Sequence, residues 1–268
     1  LGQLAQQWRG QFALPLIALV LAGVVQFLRR DDMRWSIPYS TSSALLVVVI
    51  AFLWASLGGA GHFFQTNPDW VVRDKVLGDL TFSNWPPAYS VVDGVPHILR
   101  SAVGFFLPAA VVGKLAGIGS VDITLYAYTA IGCSLFFLLL PLPSKPGPLL
   151  FGFLLLTIFF SGMDYLGILL VTGTTPLFPL RLEWWVPFSY SSLTGQMHWA
   201  PNHAIPLWLV TTLFYRHWGN RAWPALFMVT LPLTVIWTPF AAAGMLPFLT
   251  LATWRWFAGG WNFADSRI

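Results

Sequence analysis

Charged side chains gather in one stretch of an otherwise apolar chain, between Gly61 and Ser90. Carboxylates can accept a proton from a reacting hydroxyl, and cationic side chains can stabilise negative charge that develops on a leaving group. Both kinds of group occur within this short segment, which makes it the first candidate for chemistry. Its charged residues up to position 79 are Asp69, Arg73, Asp74, Lys75 and Asp79.

The same segment predicts a helix that begins near Asn67. Asparagine suits the capping position, Pro68 suits the first helical position, and Asp69 in the first turn complements the helix dipole. The helix should end before "SNWPPAY", because two consecutive prolines interrupt helical hydrogen bonding.

Helical spacing gives this predicted helix an apolar side that carries Trp70, Leu77 and Leu80. It also places Asp69 and Arg73 four residues apart, where they can pair. Such a helix can lie flat on a bilayer surface, and in that interpretation Asp69 has only a capping role.

A second concentration of polar chemistry, "RLEWWVPFSYSSLTGQMHWAPNHA", runs from Arg181 to Ala204. Carboxylates, amides and imidazoles lie among tryptophans here, a combination that suits sugar rings. An aromatic belt at the membrane interface explains the tryptophans equally well. The polar residues of interest are Glu183, Tyr190, His198, Asn202 and His203.

The two histidines of this segment give little support to a metal site. His198 and His203 are five residues apart and do not share one helix face. We therefore predict no metal ligands and expect both histidines to form hydrogen bonds to substrate or backbone. A requirement for a divalent cation is left open.

The composition is that of a membrane protein. Of the 268 residues, 56% are hydrophobic and 9% are charged, and the mean hydropathy is +0.68. Soluble domains carry about 25% charged residues. The small net charge of +4 is scattered through loops, so it indicates no nucleic-acid partner. The expected partners are membrane lipids, together with a lipid-linked substrate or a membrane-protein partner.

A membrane-crossing helix needs about 20 mainly apolar residues, and about eight segments are candidates. We expect an all-α, polytopic transmembrane bundle that forms a single domain over residues 1–268, with polar loops at about 61–98 and 173–202. The candidate segments are 12–28, 43–59, 99–117, 122–142, 148–172, 203–215, 223–238 and 240–257.

Basic residues in short loops predict the orientation. They place 29–34 and 216–221 on the cytoplasmic side and the charged segment outside. Eight simple crossings would then put the two polar loops on opposite faces. A broken or re-entrant helix around "FFSGMDYLG", which contains Asp164, would restore one common face.

The charged segment resembles the first external loop of GT-C glycosyltransferases. The resemblance rests on an aspartate after an early span, an amphipathic segment, and the element "WPPAY" at Trp85 to Tyr89. It implies a multi-pass enzyme of the cell inner (plasma) membrane that uses a polyprenyl-phosphate-linked sugar. It also implies a catalytic aspartate, which matches Asp69 best and Asp74 second.

The same resemblance implies cations for the departing phosphate. Arg73, Arg100 and Arg181 can supply them, and a guanidinium can grip a phosphate with two bonds. Arginines at helix ends also snorkel to lipid headgroups, which is the structural alternative for each of them.

Two other classes of function fit the same residues. A transporter or flippase for lipid-linked sugars would bind through these loops without reacting, and a non-catalytic subunit of a membrane assembly would need neither. No P-loop, dinucleotide-binding glycine pattern, HExxH or nucleophile elbow occurs in the sequence, which argues against soluble nucleotide-sugar chemistry.

Overall fold

The computed structural model is predominantly helical. It describes residues 18, 21–22, 24–25, 39–64, 66–92, 95–99, 101, 103–160, 164–174, 191–218 and 223–258. The prediction of a mainly helical chain is thereby confirmed.

Ten α-helices and one β-hairpin lie within the described residues. Short 3₁₀ turns at Val103–Phe105 and Ile118–Ser120 precede the third and fourth helices. The helices are α1 Thr41–Ser56, α2 Trp70–Phe82, α3 Leu107–Ala116, α4 Val121–Leu139, α5 Pro148–Phe159, α6 Asp164–Thr172, α7 Leu193–Trp199, α8 Pro201–Arg216, α9 Trp223–Trp237 and α10 Pro239–Phe257.

Local sequence signals explain several helix ends. Ser40 caps α1, because its hydroxyl accepts a hydrogen bond from the Ser43 amide at 3.2 Å. Ser192 caps α7 in the same way through the Gly195 amide at 2.9 Å. Pro148 opens α5, where the missing N–H of proline has no helical partner to lose.

Five predicted apolar segments agree with α-helices to within three residues at each end: 43–59, 122–142, 203–215, 223–238 and 240–257. Two do not. In the segment 99–117 the α-helix begins only at Leu107, and the segment 148–172 is divided into α5 and α6, with α6 beginning at Asp164. A break was expected in this run, and the side chain of Asp164 lies outside the described residues. The predicted span 12–28 also falls largely outside them.

One described helical run, Ile118–Leu139, is long and apolar enough by length and composition to cross a membrane. Four shorter helical stretches are also apolar: Thr41–Ser56, Leu107–Ala116, Pro148–Phe159 and Pro239–Trp254.

The chain divides into two compact units. One is formed by Pro38–Ile205 and is called here the Asp69 unit, and the other by Leu1–Ile37 together with Pro206–Ile268. The prediction of a single domain remains a prediction.

In the Asp69 unit, α1 packs mainly against α4. The contact is close because α1 presents fully buried small side chains, Ala51 and Ala55. The same two helices are joined by the rings of Trp54 and Phe137, which lie 5.3 Å apart, and by the hydroxyl of Tyr126, which donates to the carbonyl of Phe52 at 3.0 Å.

A short antiparallel hairpin departs from the all-helical expectation. Strand β1, Ala88–Val92, pairs with β2, Val95–Ile98, and Tyr89 lies opposite His97. The sequence signal was the Asp93-Gly94 dipeptide between valines, a pattern typical of tight hairpin turns.

In the second unit, α9 packs against α10. Its core contains Val210, Phe214, Met245 and Ala252. Each of α8, α9 and α10 contains an internal proline: Pro206, Pro232 and Pro247.

Two helical glycines make a matched test of the Asp69 unit. A Cβ at Gly113 of α3 would lie 2.4 Å from Val121 Cγ2 and 2.9 Å from Thr81 Cγ2, whereas a Cβ at Gly78 of α2 would meet nothing within 4 Å. We predict that Gly113→Ala lowers the free energy of unfolding by about 1–3 kcal/mol through overpacking.

Gly78→Ala should instead leave stability unchanged or raise it by up to about 1 kcal/mol, since alanine favours helix. Circular dichroism during chemical denaturation of the purified chain measures both. Equal behaviour of the two variants would contradict the packing of α3 against both α2 and α4.

Candidate functional site

The site is built on the first turn of α2. Asn67 lies just before this helix and is buried, with 5% of its surface exposed. Its side-chain oxygen accepts a hydrogen bond from the Asp69 amide at 2.9 Å, and its side-chain nitrogen donates to the backbone carbonyl of His198. One amide group thus stabilises the turn that leads into α2 and links that turn to the end of α7.

The predicted end and apolar side of α2 are confirmed. The helix ends at Phe82, directly before "SNWPPAY", and it buries Trp70, Leu77 and Leu80 together with Val76. The predicted start is wrong, because the N-cap residue is Asp69 rather than Asn67, and the Asn67 side chain bonds to the Asp69 amide in the turn before the helix. The predicted association of α2 with a bilayer surface stays a prediction.

Arg73 of α2 provides the second link to the end of α7. Its Nη2 donates to the carbonyl of Trp199 and lies 3.4 Å from Asp69 Oδ2, one helical turn earlier. Its guanidinium carbon is 5.3 Å from the centre of the Trp70 ring. The side chain is 11% exposed, and the second terminal nitrogen, Nη1, is buried with no hydrogen-bond partner.

Burial lowers the pKa of Arg73, because desolvation disfavours the charged form. The negative charges of Asp69 and Asp74 oppose that shift. An arginine pKa starts so high that the side chain stays charged. A permanent positive charge is therefore held at this place.

Asp69 and Arg73 line a cleft of about 290 Å³ together with two residues of α8, Asn202 and His203. Asn202 is 8% exposed, and its Nδ2 lies 3.2 Å from His203 Nε2. Its Oδ1 is buried and has no hydrogen-bond partner. The remaining walls are formed by Val72, Val76, Ser101 and Phe106.

A polar network inside the Asp69 unit positions α7, which precedes these α8 residues. The indole nitrogen of Trp54 in α1 donates to the Thr194 hydroxyl at 3.0 Å. That hydroxyl donates in turn to the Ile158 carbonyl in α5 at 2.7 Å. These bonds fix the start of α7, and Asn67 and Arg73 fix its end. The first residues of α8, which follow directly, are positioned as a result.

Asp74, the second predicted catalytic residue, belongs to a different cluster. Its Oδ2 is 3.1 Å from His62 Nε2, and His62 Nδ1 lies 4.0 Å from Asp122 Oδ1. Burial raises the pKa of Asp74, and His62 and Arg73 oppose the shift while Asp122 adds to it. Asp74 does not line the cleft.

The structure therefore brings together four of the predicted site residues: Asp69, Arg73, Asn202 and His203. His198 contributes its backbone carbonyl rather than its ring, which packs edge-on against Trp199 at 5.6 Å. The predictions for Arg100, Arg181 and Glu183 fall outside the described residues. Within the described part of the chain, no three His, Cys, Asp or Glu side chains are arranged to hold a metal ion.

Sequence reasoning missed several residues of the site. Asn67 carried a capping signal, but nothing local pointed to its bond with His198, 131 residues away. Ser101 and Phe106 lie at the start of a predicted span, with no feature that distinguishes them from ordinary apolar surroundings.

Comparisons of this chain with protein-family models, with curated proteins and with solved structures find no match.

The double role of Asn67 can be tested with an isosteric change. Asn67→Asp keeps the oxygen that accepts from the Asp69 amide but replaces the donor to the His198 carbonyl with a second acceptor. Loss of that buried bond should lower stability by about 1–3 kcal/mol. The new charge near the start of α2 returns only about 0.3–1 kcal/mol.

Denaturant titration of the purified variant measures the difference. The matched control is Asn84→Asp, since Asn84 is exposed and surface changes of this kind stay within about 0.5 kcal/mol. If Asn67→Asp is as stable as Asn84→Asp, Asn67 does not join α2 to α7.

Proposed function

We propose that the protein is a membrane glycosyltransferase of the GT-C type. It transfers a sugar from a polyprenyl-phosphate donor to a lipid, glycan or protein acceptor at the non-cytoplasmic face of the inner (plasma) membrane. The observation that carries this proposal is that Asp69 and Arg73 line the same cleft as Asn202 and His203 of the second polar segment.

The surface of the helices supports a membrane location. On α1, the large apolar side chains Leu45, Val49 and Leu53 follow each other at four-residue intervals and are exposed. On α5, Phe151, Phe153 and further apolar side chains are exposed as well. Apolar faces of this extent need a partner or a lipid environment. We propose that lipid covers them and that the chain crosses the membrane about eight times.

The chemistry assigns a role to each charged group in the cleft. The acceptor hydroxyl oxygen attacks the anomeric carbon of the donor sugar, and the bond from that carbon to the phosphate oxygen breaks. Asp69 takes the hydroxyl proton, and polyprenyl phosphate leaves with the bonding electrons. Arg73 holds a fixed positive charge where negative charge moves during this step.

The cleft favours Asp69 over Asp74 as the base. Asp69 lines the cleft beside Arg73, while Asp74 is paired with His62 elsewhere on α2. A general base must come within hydrogen-bond reach of the proton that it takes, so position decides between these two acids.

Substitution of the two aspartates tests the proposal. In liposomes containing the full chain, with a panel of polyprenyl-phosphate-linked hexoses and pentoses, we expect Asp69→Asn to reduce release of polyprenyl phosphate at least 100-fold, the lower range for loss of a general base. Donor binding should persist, because the amide keeps the shape of the carboxylate. Asp74→Asn should have a much smaller effect.

Asp79→Asn is the matched control, since Asp79 is on the same helix and accepts a hydrogen bond from the Tyr89 hydroxyl outside the cleft. If Asp69→Asn transfers sugar as fast as Asp79→Asn, Asp69 is not the general base. Movement of the intact lipid-linked sugar across the bilayer without transfer would instead indicate a flippase.

A further inference from the structure

Two of the residues that line the cleft each have a buried polar atom without a hydrogen-bond partner, and one of these atoms is a donor while the other is an acceptor. Arg73 Nη1 is a donor, and Asn202 Oδ1 is an acceptor; both are shielded from bulk water and have no partner. A buried polar group without a partner is less stable than one that is hydrogen-bonded. These atoms therefore indicate a ligand that supplies both an acceptor and a donor.

The neighbouring His203 explains why the oxygen of the Asn202 amide, rather than its nitrogen, has no partner. Its Nδ2 lies 3.2 Å from His203 Nε2 and donates to that nitrogen when it carries no proton. The imidazole thus occupies the donor side of the amide, and Oδ1 remains for the ligand. His203 acts here as a positioning residue.

Hydrogen-bond complementarity discriminates between classes of ligand. A hydroxyl group donates and accepts, whereas an ionised phosphate accepts only and an ammonium group donates only. A phosphate could satisfy Arg73 but would face the oxygen of Asn202 and the carboxylate of Asp69, both of which are acceptors. A pair of hydroxyls satisfies both unpartnered atoms.

The rest of the cleft agrees with a polyhydroxyl ring. Val72, Val76 and Phe106 give it an apolar wall, against which the C–H face of a sugar can lie. A volume of about 290 Å³ is at the lower limit of ligand pockets, which span roughly 300–1,000 Å³. That size suits one ring better than a nucleotide sugar.

We propose that this cleft binds one neutral sugar ring through two of its hydroxyls, with Arg73 donating to one oxygen and Asn202 Oδ1 accepting from another. This rests on the proposed function in treating the bound ring as the sugar acceptor. The phosphate of the donor then contacts groups outside this cleft, and Arg73 contributes its charge from a distance.

Saturation-transfer NMR on the full chain in lipid nanodiscs tests the proposal without any donor. The probes are the methyl glycosides of glucose, mannose and galactose, with inorganic phosphate as the competitor. We expect at least one glycoside to bind and phosphate not to displace it. Asn202→Leu should weaken binding about tenfold, the equivalent of one hydrogen bond, while Asn84→Leu should not.

A second pair of variants avoids any change to buried polar groups. Val72 and Val71 are adjacent and almost equally exposed, at 65% and 63%, but only Val72 lines the cleft. Val72→Trp should abolish glycoside binding by filling the cleft. Val71→Trp should leave it intact.

The outcomes separate this inference from the proposed function. Absence of binding for all three glycosides, displacement by phosphate, or binding that survives Val72→Trp overturns the sugar assignment even if Asp69-dependent transfer is observed. The opposite result is a chain that transfers no sugar but binds a glycoside, with the binding lost in Val72→Trp. That result supports the sugar site and contradicts the proposed glycosyltransferase activity.

Discussion

The site depends on one buried cation, the guanidinium of Arg73. Removal of a charge from water is unfavourable unless the charge is paired and hydrogen-bonded. Arg73 meets this requirement at Nη2, through Asp69 and the Trp199 carbonyl, and its guanidinium also lies near the ring of Trp70, while Nη1 has no hydrogen-bond partner. Asp69 and Trp70 lie at the start of α2, and Trp199 ends α7. The interactions that stabilise this one charge therefore also join the two polar segments of the chain.

The consequence of this link is a cleft with polar side chains in a chain that is 56% hydrophobic. The apolar helices α1 and α4 bury the small residues Ala51 and Ala55 together with the rings of Trp54 and Phe137. They form a scaffold that has little chemistry of its own. Asp69, Asn202 and His203 can act together only because the turn before α2 and the junction of α7 with α8 are held against each other by Asn67 and Arg73.

Much of the local structure could be predicted from the sequence, and the reason is physical. Apolar runs must form helices where backbone groups lack water, and Ser, Asn and Pro mark where such helices begin. The pairing of Asp69 with Arg73 followed from their spacing alone. Distant pairing could not be predicted, since no local pattern distinguishes the carbonyls of His198 and Trp199 as partners of α2.

Asp69 and Asp74 illustrate the same limit. The sequence placed both on one helix as candidate bases, and about 100° of rotation per residue puts positions five apart roughly 140° from each other. Which of them would meet the cleft depended on the neighbours of α2. In the structure, Asp74 is paired with His62 and Asp69 lines the cleft. The hairpin of β1 and β2 was not predicted, because Pro86 and Pro87 indicate where α2 must end but not what structure follows it.

Hydrogen–deuterium exchange in Arg73→Met is the most direct test of the central claim that Arg73 joins α2 to the α7–α8 junction. We predict faster exchange both in residues 66–75 and in residues 193–205, with no change in either segment for Lys75→Met, which removes an exposed charge from the same helix. Unchanged protection of residues 193–205 in Arg73→Met would contradict the account, since those residues would then hold their place without the arginine.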